Sequence, residues 1–259
     1  MNEMYELHAV TKRYSRKGKQ VSALDGVDLT IDDGEFLAIQ GPTGSGKTTL
    51  LEVLGGLVRP SSGSVLCAGT DMARLGEARL GDLRRTMFGF VFQHFNLIPT
   101  LSAQENVELA LVPTGVSSAE RRSRALSALA EVGLERRGGH LPSEMSGGEQ
   151  QRTAIARALV RSPRVILADE PTGNLDERTR DEIIDLLTAL WREREQTIIV
   201  VTHDSTVAGQ ASQRVWVEGG RIRVHEDRPS TEGVMSFPPE GFTQPAPVVA
   251  LAGAAGGES

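Results

Sequence analysis

Gly41, Pro42, Thr43, Gly44, Ser45, Gly46, Lys47, Thr48 and Thr49 form the stretch that most narrows what this chain can fold into. Gly41, Gly46, Lys47 and Thr48 stand at the fixed positions of the phosphate-loop pattern G-x-x-x-x-G-K-[ST]. The run from Glu35 to Gln40 reads as a strand before the loop, and Lys47 to Leu57 reads as a helix after it. Glycines let successive backbone N–H groups turn inward without Cβ clashes, which makes a concave anion cradle. The following helix aims the positive end of its dipole at the same point. Lys47 can then reach β- and γ-phosphates, and the Thr48 hydroxyl can ligate Mg²⁺. The stretch predicts a nucleoside triphosphate as ligand.

The rest of the chain fits a sheet built around that unit. Tyr5 to Val10 and Val21 to Ile31 read as strands. Val165 to Ala168 and Ile198 to Val201 are short continuous apolar runs, the pattern of parallel strands buried on both faces. Between those two runs, Ile183, Leu187, Leu190 and Trp191 mark a helix face. From about Ser102 to Val160 the pattern is helical. Ser102 with Glu105, and Ser117 with Glu120, have the spacing of capping boxes, and Ala125, Leu129 and Val132 share one apolar face. Strand, helix, strand with right-handed crossovers gives a doubly wound α/β core with a helical insertion. Glu226 to Ser259 differs: it holds five of the twelve prolines, one Arg and no Lys, and its composition predicts a disordered tail.

Bulk properties exclude several classes. A chain of 259 residues can bury a substantial core. Its 28 Lys and Arg against 34 Asp and Glu leave a formal net charge of −6, so no global basic field points to nucleic acid. The single Cys67 cannot form an internal disulfide, and its strand-like neighbours predict a packed apolar residue. The N-terminus lacks a basic start followed by an apolar stretch, and no apolar run reaches the ~18 residues of a membrane span. The expectation is a soluble, cytoplasmic protein whose membrane role, if it has one, needs a partner.

A second set of residues carries chemistry. Asp169 and Glu170 close the apolar run from Val165. Asp169 sits where a strand-end acid can hold Mg²⁺, directly or through water, which leaves Glu170 to orient or deprotonate an attacking water. Ser146, Gly147, Gly148 and Glu149 open a further helix, read as Gln150 to Arg161, again with capping-box spacing. Two glycines are poor first-turn residues on propensity but suit close approach of a phosphate. The phosphate loop already serves one nucleotide, so this second helix start predicts a site shared with another copy of the chain.

These motifs, with Gln93, the run Ala168 to Asp176, and Thr202, His203 and Asp204, occur in the order and spacing of ABC transporter ATPase subunits, which the chain resembles over residues 4–225. The resemblance implies a P-loop NTPase core of ABC type, with an N-terminal antiparallel β subdomain and a helical subdomain inserted at about residues 96–160. It implies a head-to-tail homodimer that holds two ATP between phosphate loop and signature segment. Gln93 corresponds to the Q-loop glutamine at Mg²⁺ or water, and His203 to the switch histidine at the γ-phosphate. Asp176 corresponds to the D-loop acid that crosses the dimer. Tyr14 is similar to the aromatic that stacks on adenine, though Lys12 to Lys17 also reads as a solvated basic loop with one aromatic anchor. Glu149 stands where the family pattern has Gln, and Met145 where it has Leu; Ser146 and the glycine pair are kept. Arg152 and Arg157 read as helix-surface or packing residues.

Phe88 to Val107 and Ala168 to Asp176 resemble the branch of lipoprotein-release, macrolide-efflux and cell-division ATPases. That resemblance implies a separate membrane permease subunit as partner and a peripheral position on the cytoplasmic face of the membrane. Leu97, Ile98 and Leu101 either receive the permease's cytoplasmic helix or lie inside the helical insertion. Two roles remain open at this point: driving export or mechanotransmission, and signalling across the membrane as the cell-division member does. A third, action on DNA or ribosomes, would call for tandem cassettes, coiled-coil insertions or basic patches, and the sequence has none.

Overall fold

The computed structural model describes residues 3–16 and 19–227. Two sheets organise them. Strands β1 (Glu3–Arg16) and β2 (Lys19–Asp32) pair as a long antiparallel ribbon. With β4 (Ser62–Cys67) and β5 (Thr70–Asp71) they make a four-stranded sheet in the order β2-β1-β4-β5. Both ribbon strands outrun their sequence readings, because bulges between Leu7 and Arg13 let pairing continue past the polar stretch. Tyr14 therefore sits on a strand, paired with Val21, and not in a basic loop. Cys67 is fully buried in β4, and burial pushes its thiol up to about 11.

The second sheet has six strands. Five are parallel: β3 (Phe36–Gln40), β6 (Phe88–Phe92), β7 (Val165–Asp169), β8 (Thr197–Val201) and β9 (Gln213–Glu218). The antiparallel edge strand β10 (Arg221–Asp227) completes the order β10-β9-β3-β8-β7-β6. Strand period two splits the central strands between two cores. Leu37, Ile39, Leu167 and Ile199 face helix α1 (Lys47–Leu54) and the antiparallel sheet. Phe36, Ala38, Ile166, Ala168, Ile198 and Val200 face the opposite way. Helix α2 (Glu77–Met87) leads into β6, with Leu80 buried in the first of these cores.

The chain between β6 and β7 holds α3 (Ala103–Leu109), α4 (Ser118–Glu131) and α5 (Gly147–Leu159). Their apolar faces join α6 (Glu177–Arg194) and the sheet in one continuous core, which takes in Ala125, Leu129, Val132, Ile155, Ile183 and Leu187. The short helix α7 (Ser205–Ala208) follows β8. Ser102 makes the expected full capping box with Glu105. Ser117 makes only half of one: it accepts from Glu120 N–H, while the Glu120 carboxylate pairs with Arg124 one turn on. Helix α1 ends at Leu54, short of the Leu57 read from sequence, because Gly55 and Gly56 follow and Gly56 takes φ 62°. Helix α5 begins at Gly147, so the glycine pair lies inside its first turn. Leu97 and Leu101 are half-buried and Ile98 is exposed, so none of the three lies within the core. The tail read from composition falls, from residue 228 onward, outside the described residues; Glu226 and Asp227 continue β10.

Candidate nucleotide site at the strand ends

Four neighbouring parallel strands end at one place. The loop from Gly41 leaves β3, His203 follows β8, Asp169 and Glu170 close β7, and Gln93 follows β6. Ligands of open α/β sheets bind in this crevice outside the carboxyl ends of the strands.

Packing behind the phosphate loop requires glycine at two of its positions. A Cβ on Gly41, at φ 144°, would stand 2.0 Å from the carbonyl of Val217, and one on Gly46, at φ 109°, would stand 2.3 Å from that of Ala23. The loop is further pinned where Gly220 N–H donates to Ser45 C=O at 2.9 Å. Gly46 is the N-cap of α1 and offers no side chain to the helix amides, and the first turn holds no acid. Those N–H groups stay available to an anion. Lys47 Nζ folds onto the carbonyls of Gly41 and Pro42, at 2.8 and 2.9 Å. Burial lowers its pKa against the pull of Glu170 and Asp169. Ser45 Oγ is buried in the same loop with no hydrogen-bond partner among the described residues. A half-buried cation hydrogen-bonded to loop carbonyls, beside an orphaned hydroxyl and uncapped amides, fits a polyanion.

The Thr48 hydroxyl lies 3.4 Å from Asp169 Oδ1. Burial raises the pKa of Asp169, with the Thr48 contact and Lys47 opposing. These are hard oxygen donors suited to Mg²⁺. Among the described residues no three His, Cys, Asp or Glu side chains cluster to hold a metal, so a cation here would rely on phosphate oxygens as well. Glu170 adopts φ 47°, a left-handed value uncommon for a side-chain-bearing residue, and its N–H donates to Val201 C=O at 2.9 Å. That bend turns its carboxylate toward β8, where Oε2 lies 2.8 Å from His203 Nδ1. Gln93 sits beside Asn174: the Asn174 amide donates to Gln93 C=O at 2.9 Å and lies 3.1 Å from His94 Nδ1.

The signature segment is arranged differently. Ser146 Oγ accepts from Glu149 N–H at 3.2 Å, and the Glu149 carboxylate accepts from Ser146 N–H at 2.9 Å. Glu149 also pairs with Arg137 at 2.8 Å. The glycine pair has reasons inside the chain. A Cβ on Gly148 would meet Thr179 Cγ2 at 2.3 Å, and one on Gly147 would meet Leu175 at 3.3 Å. Close approach of a phosphate is thus not needed to explain Gly148. Asp176 caps α6, accepting from Thr179 N–H at 3.0 Å and from its hydroxyl at 2.7 Å, so its carboxylate is engaged within its own chain. Tyr14 is 39% exposed, with Lys12 Nζ 5.0 Å from its ring centroid.

Two residues at the site were given no role of their own in the sequence reading: Asn174 holds Gln93, and buried Gln151 donates to Pro171 C=O at 2.6 Å directly after Glu170. Arg157, read as a helix-surface or packing residue, donates to the carbonyls of Phe95 and Asn96. A signal for Gln151 existed: it falls on the apolar stripe of α5 with Ala154, Ile155 and Ala158, where a polar group needs a specific partner.

Comparison with known proteins identifies the family. The family model described as ABC transporter matches residues 24–173. The lipoprotein-releasing system ATP-binding protein LolD of Geobacter metallireducens is 45% identical over 86% of this chain and 99% of its own length. The macrolide export ATP-binding/permease protein MacB of Burkholderia thailandensis is 46% identical over 89% of this chain, which spans only 35% of that protein. The solved dimer of the ATP-binding cassette MJ0796, in a post-hydrolysis state bound to ADP and Pi, superposes with a TM-score of 0.81 at 43% identity, covering 87% of this chain and 99% of that one. Phosphate loop, strand-end acids and relatives agree, and this chain belongs to the ABC transporter ATP-binding family as an ATPase subunit.

Proposed function

We propose that two copies of the chain close on two ATP molecules, each lying between the loop of one copy and Ser146, Gly147, Gly148 and Glu149 of the other. The loop amides, with Thr43, Ser45, Lys47 and Thr49, hold the phosphates. Thr48 and Asp169, with Gln93, would hold Mg²⁺, which when bound would neutralise phosphate charge. Glu170 takes the proton of the attacking water. His203, with Nδ1 2.8 Å from the Glu170 carboxylate, reaches toward the γ-phosphate. Tyr14 stacks on adenine with the face that Lys12 leaves open. Asp176 lies at the dimer seam on the strength of the family resemblance, its own carboxylate serving α6. The single observation that carries the reading is the bend at Glu170, φ 47°, which sets its carboxylate 2.8 Å from His203 at the end of the adjacent strand.

A membrane permease is the proposed partner. Among the described residues no helix is long and apolar enough to cross a bilayer. The relatives named for lipoprotein release and macrolide export support transport across a membrane over the signalling alternative. The position is the cytoplasmic face, where ATP is supplied. Ile98, exposed between Gln93 and the α3 cap, is a contact for the permease, together with half-buried Leu97 and Leu101. The residues from about 96 to 160 act as the helical subdomain that carries the motion.

The test is Glu170→Gln. ATP hydrolysis should fall about 10²- to 10⁴-fold, the range of a lost general base. ATP should still bind, and a dimer should accumulate on size exclusion with ATP and Mg²⁺. Unchanged turnover would overturn the assignment of Glu170.

A further inference from the structure

Arg157 lies about three turns along α5 from Ser146. The residue is half-buried, and no carboxylate pairs with its guanidinium among the described residues. Nη2 donates to Phe95 C=O at 2.8 Å and Nη1 to Asn96 C=O at 2.5 Å. Those two residues follow Gln93 in a tight turn, and both have left-handed backbones, with φ 60° at Phe95 and 51° at Asn96. Asn tolerates that conformation; a bulky Phe does so rarely. The strained turn thus has an external hold, and the hold is a planar fork that reaches two consecutive carbonyls at once.

The same turn touches both ends of the machinery. The Phe95 ring lies 3.9 Å from the place where a Cβ on Gly147 would stand, against the first turn of α5. At the other end Asn174 binds the carbonyl of Gln93 at 2.9 Å. Gln151, also on α5, holds Pro171 directly after Glu170. One helix therefore carries the signature segment at its start and grips the chain next to Gln93 and Glu170 along its length.

We infer that Arg157 is a positioning residue that ties the Gln93 turn to the signature helix, so that seating Ser146 to Glu149 on a partner's nucleotide also sets Gln93 in the chain's own site. The inference rests on the proposed role of Gln93 at Mg²⁺ or water. Removing Arg157 leaves Phe95 free to leave its left-handed conformation, and Gln93 moves with it. Nucleotide binding at the phosphate loop is made by other residues and stays.

The experiment is a double-mutant cycle on the full chain, with steady-state ATPase kinetics and ATP binding measured for Arg157→Met, Gln93→Ala and the pair. Arg157→Met should lower kcat on the order of tenfold to a hundredfold, the scale of a misplaced catalytic group, with KM for ATP changed less than about twofold. The double variant should be no slower than Gln93→Ala alone. Multiplying losses would overturn the inference, because Arg157 would then act without Gln93. A Gln93→Ala variant with unchanged kcat would instead overturn the role of Gln93. Arg157→Lys, which keeps the charge and one donor, serves in the same cycle if the Met variant does not fold. It should retain an intermediate kcat, and wild-type kcat in a folded Lys variant would count against the two-carbonyl fork.

Discussion

Helices α1 and α5 both start beside glycines, and both are expected at a nucleotide, yet their first turns are finished in opposite ways. At α1 the N-cap is Gly46, with no side-chain cap and no acid in the first turn. At α5 Ser146 and Glu149 cap one another, and Glu149 is pulled further by Arg137. An uncapped helix start keeps its amide donors free, whereas a capping box satisfies two of them inside the chain. On the proposed reading, the loop half of the site is ready in a single copy. The signature half already satisfies its own first turn and would exchange part of that hydrogen bonding for a ligand. This predicts an order: nucleotide binds the open start first, and closure onto the capped start follows.

The largest effect should come from breaking the open half. Lys47→Met should reduce turnover on the order of 10²- to 10³-fold, as for loss of a preorganised oxyanion donor, and should weaken ATP binding in calorimetry. The apo fold should persist, since among the described residues Lys47 Nζ hydrogen-bonds only loop carbonyls. Full ATP affinity in this variant would sink the loop assignment. A smaller effect is expected at the capped half. Ser146→Ala removes an N-cap, which costs about 1 kcal/mol, or roughly 2–4 °C in Tm for a chain of this size. Binding of ATP by the monomer should be unchanged while ATP-driven dimerisation weakens, and equal losses at both steps would erase the distinction between the halves.

The smallest effect sharpens the contrast by pH. The Ser146 N–H holds Glu149 below its ordinary carboxylate value of 4.5. A depressed carboxylate contributes stability above its unfolded pKa and loses it as pH falls through the folded one. Acidification below pH 4.5 should therefore speed hydrogen exchange of the first-turn amides of α5. Those of α1, which has no carboxylate cap, should show no such step relative to the rest of their helix. Parallel profiles for the two helices would argue against the cap as the difference.

Much of this was legible in the residues. Val165 to Ala168 and Ile198 to Val201 appear as β7 and β8 within a residue of their apolar runs, because burial on both faces leaves no room for a polar position. The phosphate loop and the Ser102 and Ser146 boxes were legible for the same kind of reason: each is decided by residues within one turn or loop. Ser117 shows where that reasoning fails, since Arg124 competes for Glu120. Gly148 shows a different limit: beside the room for a phosphate that the sequence suggests, Thr179 on another helix also requires the glycine.

The sequence by itself determined the local chemistry: an anion cradle, a strand-end pair of acids, a capped second helix start, and through their spacing the family. Only the tertiary structure decided how these parts hold each other. Arg157 reaches carbonyls about sixty residues away in the chain, and Asn174 meets Gln93 across about eighty. Backbone carbonyls look alike at every residue type, so no pattern of side chains names them as partners. Which carbonyl a buried donor finds depends on how the sheet brings its strand ends together.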